Sequence, residues 1–287
     1  MANKEIDEVT GTPTTGHEWD GIKELDTPMP RWWVWTFYAC IVWSVGYWIV
    51  YPSWPTLSDH WKGTSGYTDR KSLADDLAER TTERAPWIEK FAALPVGEIA
   101  QDNELLNYAM AGGKAIFGEN CAPCHGAQGS GAPNYPVLAD DDWLWGGKLE
   151  QIETSIRNGV RSTHDETRGS EMPAFGDDYL EQAQIKDVTE YVLSLSKRDE
   201  DHAAAERGED VFEDECASCH GEDGQGSRAT GAPRLNDGIW LYGGERQEII
   251  DQVTKPKHGV MPTWATRLDD VSIKQVTIYV HSLGGGE

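Results

Sequence analysis

An all-α chain, with one membrane-spanning helix near its N-terminus and two copies of one small helical domain behind it, is predicted by three observations. Residues 32 to 51 form an uncharged run of 20 residues, about the length a helix needs to cross a hydrocarbon core of roughly 30 Å. The stretch Cys121-Ala122-Pro123-Cys124-His125 recurs 95 residues later as Cys216-Ala217-Ser218-Cys219-His220. An amphipathic helix is also written twice: Ile185, Val188, Tyr191, Val192 and Leu195 map onto Ile273, Val276, Tyr279, Val280 and Leu283 at one offset of 88, with apolar steps that keep one helical face.

The chain of 287 residues has room for two small domains and connecting segments. Its formal charge of -24, from 25 basic and 49 acidic residues, excludes a nucleic-acid partner, because no basic patch exists to neutralise phosphates. A positively charged protein partner is expected instead. Four of the five cysteines lie in the repeated motif and leave Cys40 alone, so there is no disulfide framework.

Residues 1 to 31 read as a polar tail without helical or strand period, ending in the turn-prone Asp26-Thr27-Pro28-Met29-Pro30-Arg31. Residues 32 to 51 follow as the transmembrane helix. Trp32, Trp33 and Trp35 at one end and Tyr47, Trp48 and Tyr51 at the other fit aromatic belts at the two interfaces. A cleaved signal would have a shorter apolar core and a small-residue cleavage site, whereas this run is followed by Pro52-Ser53-Trp54-Pro55. A buried soluble helix would tolerate charge on one face, and none is present. Basic residues do not orient the span: Lys4, Lys23 and Arg31 precede it, and Lys62, Arg70 and Lys71 follow.

Residues 52 to 105 predict a helical linker segment. Between Ser72 and Leu94 the apolar Leu73, Leu77, Trp87, Ile88 and Phe91 are interrupted at Pro86, which predicts two short helices. Two readings stand for them, a face laid on a partner or the membrane, and a solvated linker. From residue 106 the duplication begins. Gly113, Ile116 and Phe117 match Gly208, Val211 and Phe212, and Trp143-Leu144-Trp145-Gly146-Gly147 echoes Trp240-Leu241-Tyr242-Gly243-Gly244. Two domains over 106 to 197 and 198 to 287 are expected, with the boundary in the charged stretch Lys197-Arg198-Asp199-Glu200-Asp201.

Two thiols two residues apart lie on one side of a helical turn, where both can add to the vinyl groups of one porphyrin while the following imidazole reaches the iron. Cys121 and Cys124, and Cys216 and Cys219, are therefore read as covalent anchors of two haem c groups, with His125 and His220 as axial ligands. A zinc site or a redox dithiol is the competing use of such a pair, but these pairs stand far apart and each is followed at once by His. Met172 and Met261 occur in matching Met-Pro settings, one in each expected domain between the haem motif and the closing helix. They are the candidates for the second iron ligand, and a thioether there raises the potential. His164 and His258 are the rivals. Gly131-Ala132-Pro133 and Gly231-Ala232-Pro233 are either ordinary surface turns or turns that aim a carbonyl at the ligand imidazole. Phe117, Phe212, Trp143, Trp145, Trp240 and Tyr242 are candidates to wall the porphyrins from water, a role that core packing would mimic.

Each half, with a first helix running into Cys-x-x-Cys-His, a Met-bearing loop and a packed last helix, resembles a class I cytochrome c over residues 106 to 196 and 202 to 284. The whole order of parts, down to the Trp-Leu-Trp-Gly-Gly and Trp-Leu-Tyr-Gly-Gly loops, is similar to the dihaem subunit III, the CcoP/FixP type, of cbb3-type cytochrome c oxidase. That resemblance implies a membrane-anchored electron carrier within an O2-reducing, proton-translocating complex, with no O2 site of its own. It implies a monohaem cytochrome c subunit and a catalytic haem-copper subunit as partners and a soluble or membrane-anchored cytochrome c as donor. Residue by residue it implies iron ligation by His125, Met172, His220 and Met261. Because haem c is attached outside the bacterial cytoplasmic membrane, it also implies a single-pass inner-membrane protein with a cytoplasmic N-terminus and periplasmic haem domains. A stand-alone membrane-anchored dihaem shuttle would share these parts, and a dihaem peroxidase would need a releasable position on one iron.

Overall fold

In the computed structural model, which describes residues 5–177 and 179–287, the chain divides into a unit ending at Glu83 and a unit beginning at Arg84. The first unit corrects the expectation of a featureless tail. Strands β1 (Thr14–Trp19) and β2 (Ile22–Leu25) pair antiparallel, Trp19 opposite Ile22 and Thr14 opposite Leu25, with an irregularity between Thr14 and Glu18. Asp20 and Gly21 join them, both at positive φ (52° and 85°). Asp-Gly adopts this primed two-residue turn readily, and its twist matches the strands.

Helix α1 (Arg31–Val50) begins one residue before the expected span and has no buried residue. It is long and apolar enough to cross a membrane, with a mean hydropathy of 1.4. The last carbonyls of a helix lack intrahelical donors, and here the returning chain supplies them. Thr64 N–H donates to the Ile49 carbonyl (3.1 Å), Ser65 N–H to that of Val50 (3.0 Å), and the Trp61 indole also to Ile49 (3.2 Å). Gly63 permits this return, since a Cβ there would stand 2.3 Å from the Val50 oxygen.

Helix α2 (Asp69–Ala93) runs through Pro86 without ending, contrary to the expected break. Proline removes one backbone bond, and packing after it offsets that loss. Trp87 and Phe91 join Val96 and Ile99 of the short α3 (Val96–Ile99) against Leu105 and Ala109. Trp87 stacks on Tyr108 with ring centroids 5.2 Å apart. Trp87, Phe91, Leu94, Val96 and Ile99 thus pack on the helices that follow, while Ile88 stays exposed.

The rest of the chain contains α4 (Asn103–Ile116), a π-helical turn (Phe117–Cys121), α5 (Ala122–His125), α6 (Leu149–Asn158), α7 (Gln182–Leu195), α8 (His202–Glu215), α9 (Ala217–His220), α10 (Arg246–Thr254) and α11 (Asp270–His281). These form two helical domains in an all-α architecture, and among the described residues the strands are confined to the N-terminal hairpin. The packing does not follow the boundary expected at residues 197 and 198. The first expected closing helix, α7, packs on α8, and the second, α11, packs on α4 and α6. Phe117 of the first copy lies with Ile152, Ile156, Ile273, Val276, Tyr279 and Val280. Phe212 of the second lies with Ile185, Val188, Val192, Leu193, Ile249 and Val253. One domain therefore comprises α4, α5, α6 and α11, and the other the continuous stretch from α7 to α10.

The exchange repeats the same close approach twice. A Cβ on Gly113 would stand 2.3 Å from the Gln275 oxygen, and one on Gly208 would stand 2.0 Å from that of Asp187. Only glycine lets these helix backbones meet. Tyr279 then reaches Phe117 (centroids 5.4 Å), as Tyr191 reaches Phe212 (5.0 Å).

Candidate haem sites

Both motifs sit where a long helix turns into a short one. In the first, α4 unwinds into the wider π-helical turn and delivers Cys121 to the N-terminus of α5. In the second, α8 ends at Cys216, which leads into α9. Burial pushes the Cys121 and Cys216 thiols up to about 11. It also pulls both candidate imidazoles, His125 and His220, below the ordinary range.

The imidazoles are oriented alike. His125 Nδ1 lies 3.1 Å from the Pro136 carbonyl and His220 Nδ1 lies 3.0 Å from that of Pro233. A carbonyl can only accept, so each Nδ1 carries the proton and each Nε2 keeps its lone pair for a metal. The expected carbonyl-aiming turn is thus present at Gly231-Ala232-Pro233. In the first copy the carbonyl comes from Pro136 instead of from Gly131-Ala132-Pro133. Gly131 there matches Gly226: each N–H donates to the haem-motif His carbonyl at 2.7 Å.

The methionines follow the exchange. Met172 lines a cavity of about 530 Å³ together with Cys216, Cys219, His220, Pro233 and Trp240, within the range for ligand pockets. Met261 packs in the core of Phe117, with Cys121 and Ala122. Backbone bonds fix both placements. Phe175 and Gly176 donate to the Val253 and Thr254 carbonyls at the end of α10 (3.2 and 3.1 Å), as Trp264 and Ala265 donate to Ile156 and Arg157 in the last turn of α6 (3.2 and 3.3 Å). The expectation of one methionine beside the haem motif that precedes it is corrected: Met172 stands with the second motif and Met261 with the first. Of the rivals, His164 is turned to the Glu166 amide (3.1 Å). His258 stands exposed at the rim of the second cavity.

The residues fit haem c better than zinc. Among the described residues no three His, Cys, Asp or Glu side chains converge, as a zinc centre requires. The Trp240 Nε1 on the second cavity is buried without a partner, a donor suited to a carboxylate of the occupant. Its counterpart Trp143 donates to the Gly285 carbonyl. Phe117, Phe212, Trp143 and Trp240 are core or cavity wall, whereas the Trp145 ring lies against Gly231 of the other domain's loop.

Of two further site-bordering residues, Tyr242 was legible in the sequence only as a wall and Arg161 carried no sequence signal. Tyr242 accepts the Gly259 N–H at its hydroxyl (2.8 Å). Arg161 lies in a segment between Val160 and Met172 that the second copy, where Met261 follows Gly259-Val260 directly, lacks.

Comparison with known families divides the chain in sequence order. Residues 11–58 match the N-terminal domain of cytochrome oxidase-cbb3, FixP. Residues 110–196 match cytochrome c, and residues 203–280 match cytochrome c oxidase, cbb3-type, subunit III. The cbb3-type cytochrome c oxidase subunit CcoP of Azospirillum brasilense is 48% identical over 295 residues, covering 100% of both chains. The FixP subunit of Sinorhizobium medicae is 49% identical over 286 residues, 99% of each chain. The CcoP subunit of Cereibacter sphaeroides is 49% identical over 277 residues, 96% of each.

Proposed function

This chain belongs to the CcoP/FixP family of cbb3-type cytochrome c oxidase subunits, and on that premise we propose that it relays single electrons from a donor cytochrome c toward the catalytic haem-copper subunit through a monohaem cytochrome c subunit. Two haem c groups supply the one-electron iron couple when bound. Cys121 and Cys124 hold one and Cys216 and Cys219 the other. His125 Nε2 and the Met261 thioether ligate the first iron, and His220 Nε2 and the Met172 thioether the second. The crossed set rests on Met261 and Cys121 packing against one core and on Met172 lining the cavity of His220.

The observation that favours the relay over a peroxidase is that one cavity holds both the His220 imidazole and the Met172 thioether, while Met261 packs on the same core as Cys121, at the start of the motif that ends in His125. With both positions taken, a site exchanges electrons and has no place for a substrate. Helix α1 anchors the chain in the bacterial inner membrane with the N-terminus cytoplasmic and both domains periplasmic, and its uncovered faces suit contact with neighbouring spans. The charge of -24 suits a basic donor. The test is oxygen uptake driven by reduced cytochrome c in membranes with and without the chain, at low and high salt. Uptake should collapse without the chain and weaken as salt shortens the reach of charge. Full uptake without it would sink the relay, and salt-independent uptake would sink the acidic docking surface.

A further inference from the structure

The two methionine segments meet at one side chain. Arg161 follows Val160, whose backbone pairs with Met261 through two bonds of 3.0 Å. From there its guanidinium Nε donates to the Gly259 carbonyl (2.7 Å) and its Nη1 to the Ser170 carbonyl (2.9 Å). Gly259 stands two residues before Met261 and Ser170 two residues before Met172. One fork of donors thus holds both segments at the same position relative to their methionines. The grip is unequal, because the Tyr242 hydroxyl also accepts the Gly259 N–H at 2.8 Å.

We propose that Arg161 is a positioning residue shared by both iron sites, fixing the Met172 and Met261 segments together, while Tyr242 steadies Met261 alone. The inference rests on ligation by both methionines. A thioether is a neutral, weakly held ligand, so the freedom of its segment sets how often the sixth position on the iron opens. Arg161 limits that freedom through two hydrogen bonds from a charged donor, the stronger class. Its fork is rigid, so motion of one segment is felt by the other.

The test uses the full ferric holoprotein in detergent and the rate at which cyanide displaces the methionine. Replacing one methionine by the stronger imidazole ligand, in Met172→His or Met261→His, silences that iron and leaves the other readable. Arg161→Met, which keeps the stem and loses the donors, should speed cyanide binding roughly tenfold or more in both backgrounds. Tyr242→Phe should speed it about fivefold in the Met172→His background, where Met261 is read, and leave the Met261→His background unchanged. Should Arg161→Met not yield folded holoprotein, Arg161→Lys carries the comparison, with a smaller acceleration expected in both backgrounds. Acceleration in one background only, or none, overturns the shared grip. A histidine replacement that leaves the sulfur-to-iron band in the near infrared undiminished overturns the ligation beneath it, so the two failures are distinguishable.

Discussion

Gly159 marks the point where the exchanged halves cross, and Gly159→Ala tests the crossing most directly. Its backbone sits at φ 74° and ψ -176°, a region essentially reserved for glycine, where a side chain costs about 1–3 kcal/mol. The added Cβ would also stand 2.4 Å from the Met261 oxygen and 2.9 Å from the Pro262 carbonyl carbon. Both are backbone atoms that cannot swing aside, and such overpacking costs about 1–3 kcal/mol more. The sum, about 2–6 kcal/mol, corresponds to a fall in Tm of roughly 4–24 °C for a unit of this size. Because the displaced strand carries Met261, the sulfur-to-iron band of the site at His125 should weaken while that at His220 survives. Gly118→Ala is the control, since it is helical with no atom within 4 Å and should leave Tm within about 2 °C. Circular dichroism melts with near-infrared spectra of both variants decide the matter. A fall no larger than the control's, or damage confined to the site at His220, would refute the crossing.

Further outcomes follow from other parts of the chain. The denatured polypeptide should retain two haems by mass spectrometry, and the double change Cys216→Ala with Cys219→Ala should leave one. Burial acts to raise the Glu190 pKa, but hydrogen bonds from Arg246 and from the Glu200 and Asp201 amides outweigh it and hold the carboxyl below its ordinary 4.5. Its stabilisation is therefore complete above about pH 4.5 and is lost as pH falls through the depressed value. Glu190→Gln should flatten the acid limb of a urea-midpoint profile, and an unchanged limb would count against this network. A reporter fused after Glu287 should be active only outside the cytoplasm, and cytoplasmic activity would reverse the proposed orientation.

The chemistry of the sites was legible because it is local. Two thiols and an imidazole in five residues, and a methionine before proline, carry their meaning wherever the chain goes. Pairing is not local. Ile185 to Leu195 and Ile273 to Leu283 present the same apolar face, so periodicity alone could not say which helix closes which domain. A signal was there in the connection: α7 and α8 are separated by only residues 196 to 201, and so short a link favours antiparallel neighbours. The charged Lys197–Asp201 stretch, which lies between the two cytochrome matches in sequence, packs as the turn between α7 and α8, and Glu190 accepts two of its amides. The hairpin at Asp20-Gly21 was equally readable from its turn chemistry. The grip of Arg161 was not, since it depends on two carbonyls whose position only the folded crossing defines.

The exchanged halves also set an order in time. A chain is made from its N-terminus, so Cys121 and Cys124 emerge first, yet Met261 and α11 arrive some 140 residues later. The second site is nested inside, finished within the stretch from Met172 to Thr254. The earliest-made haem motif is therefore the last to be enclosed, and it must stay open, accessible to whatever attaches its haem, while the inner domain closes. Damage to the extreme C-terminus should then fall on the motif nearest α1 in sequence and spare the one nearest the lesion.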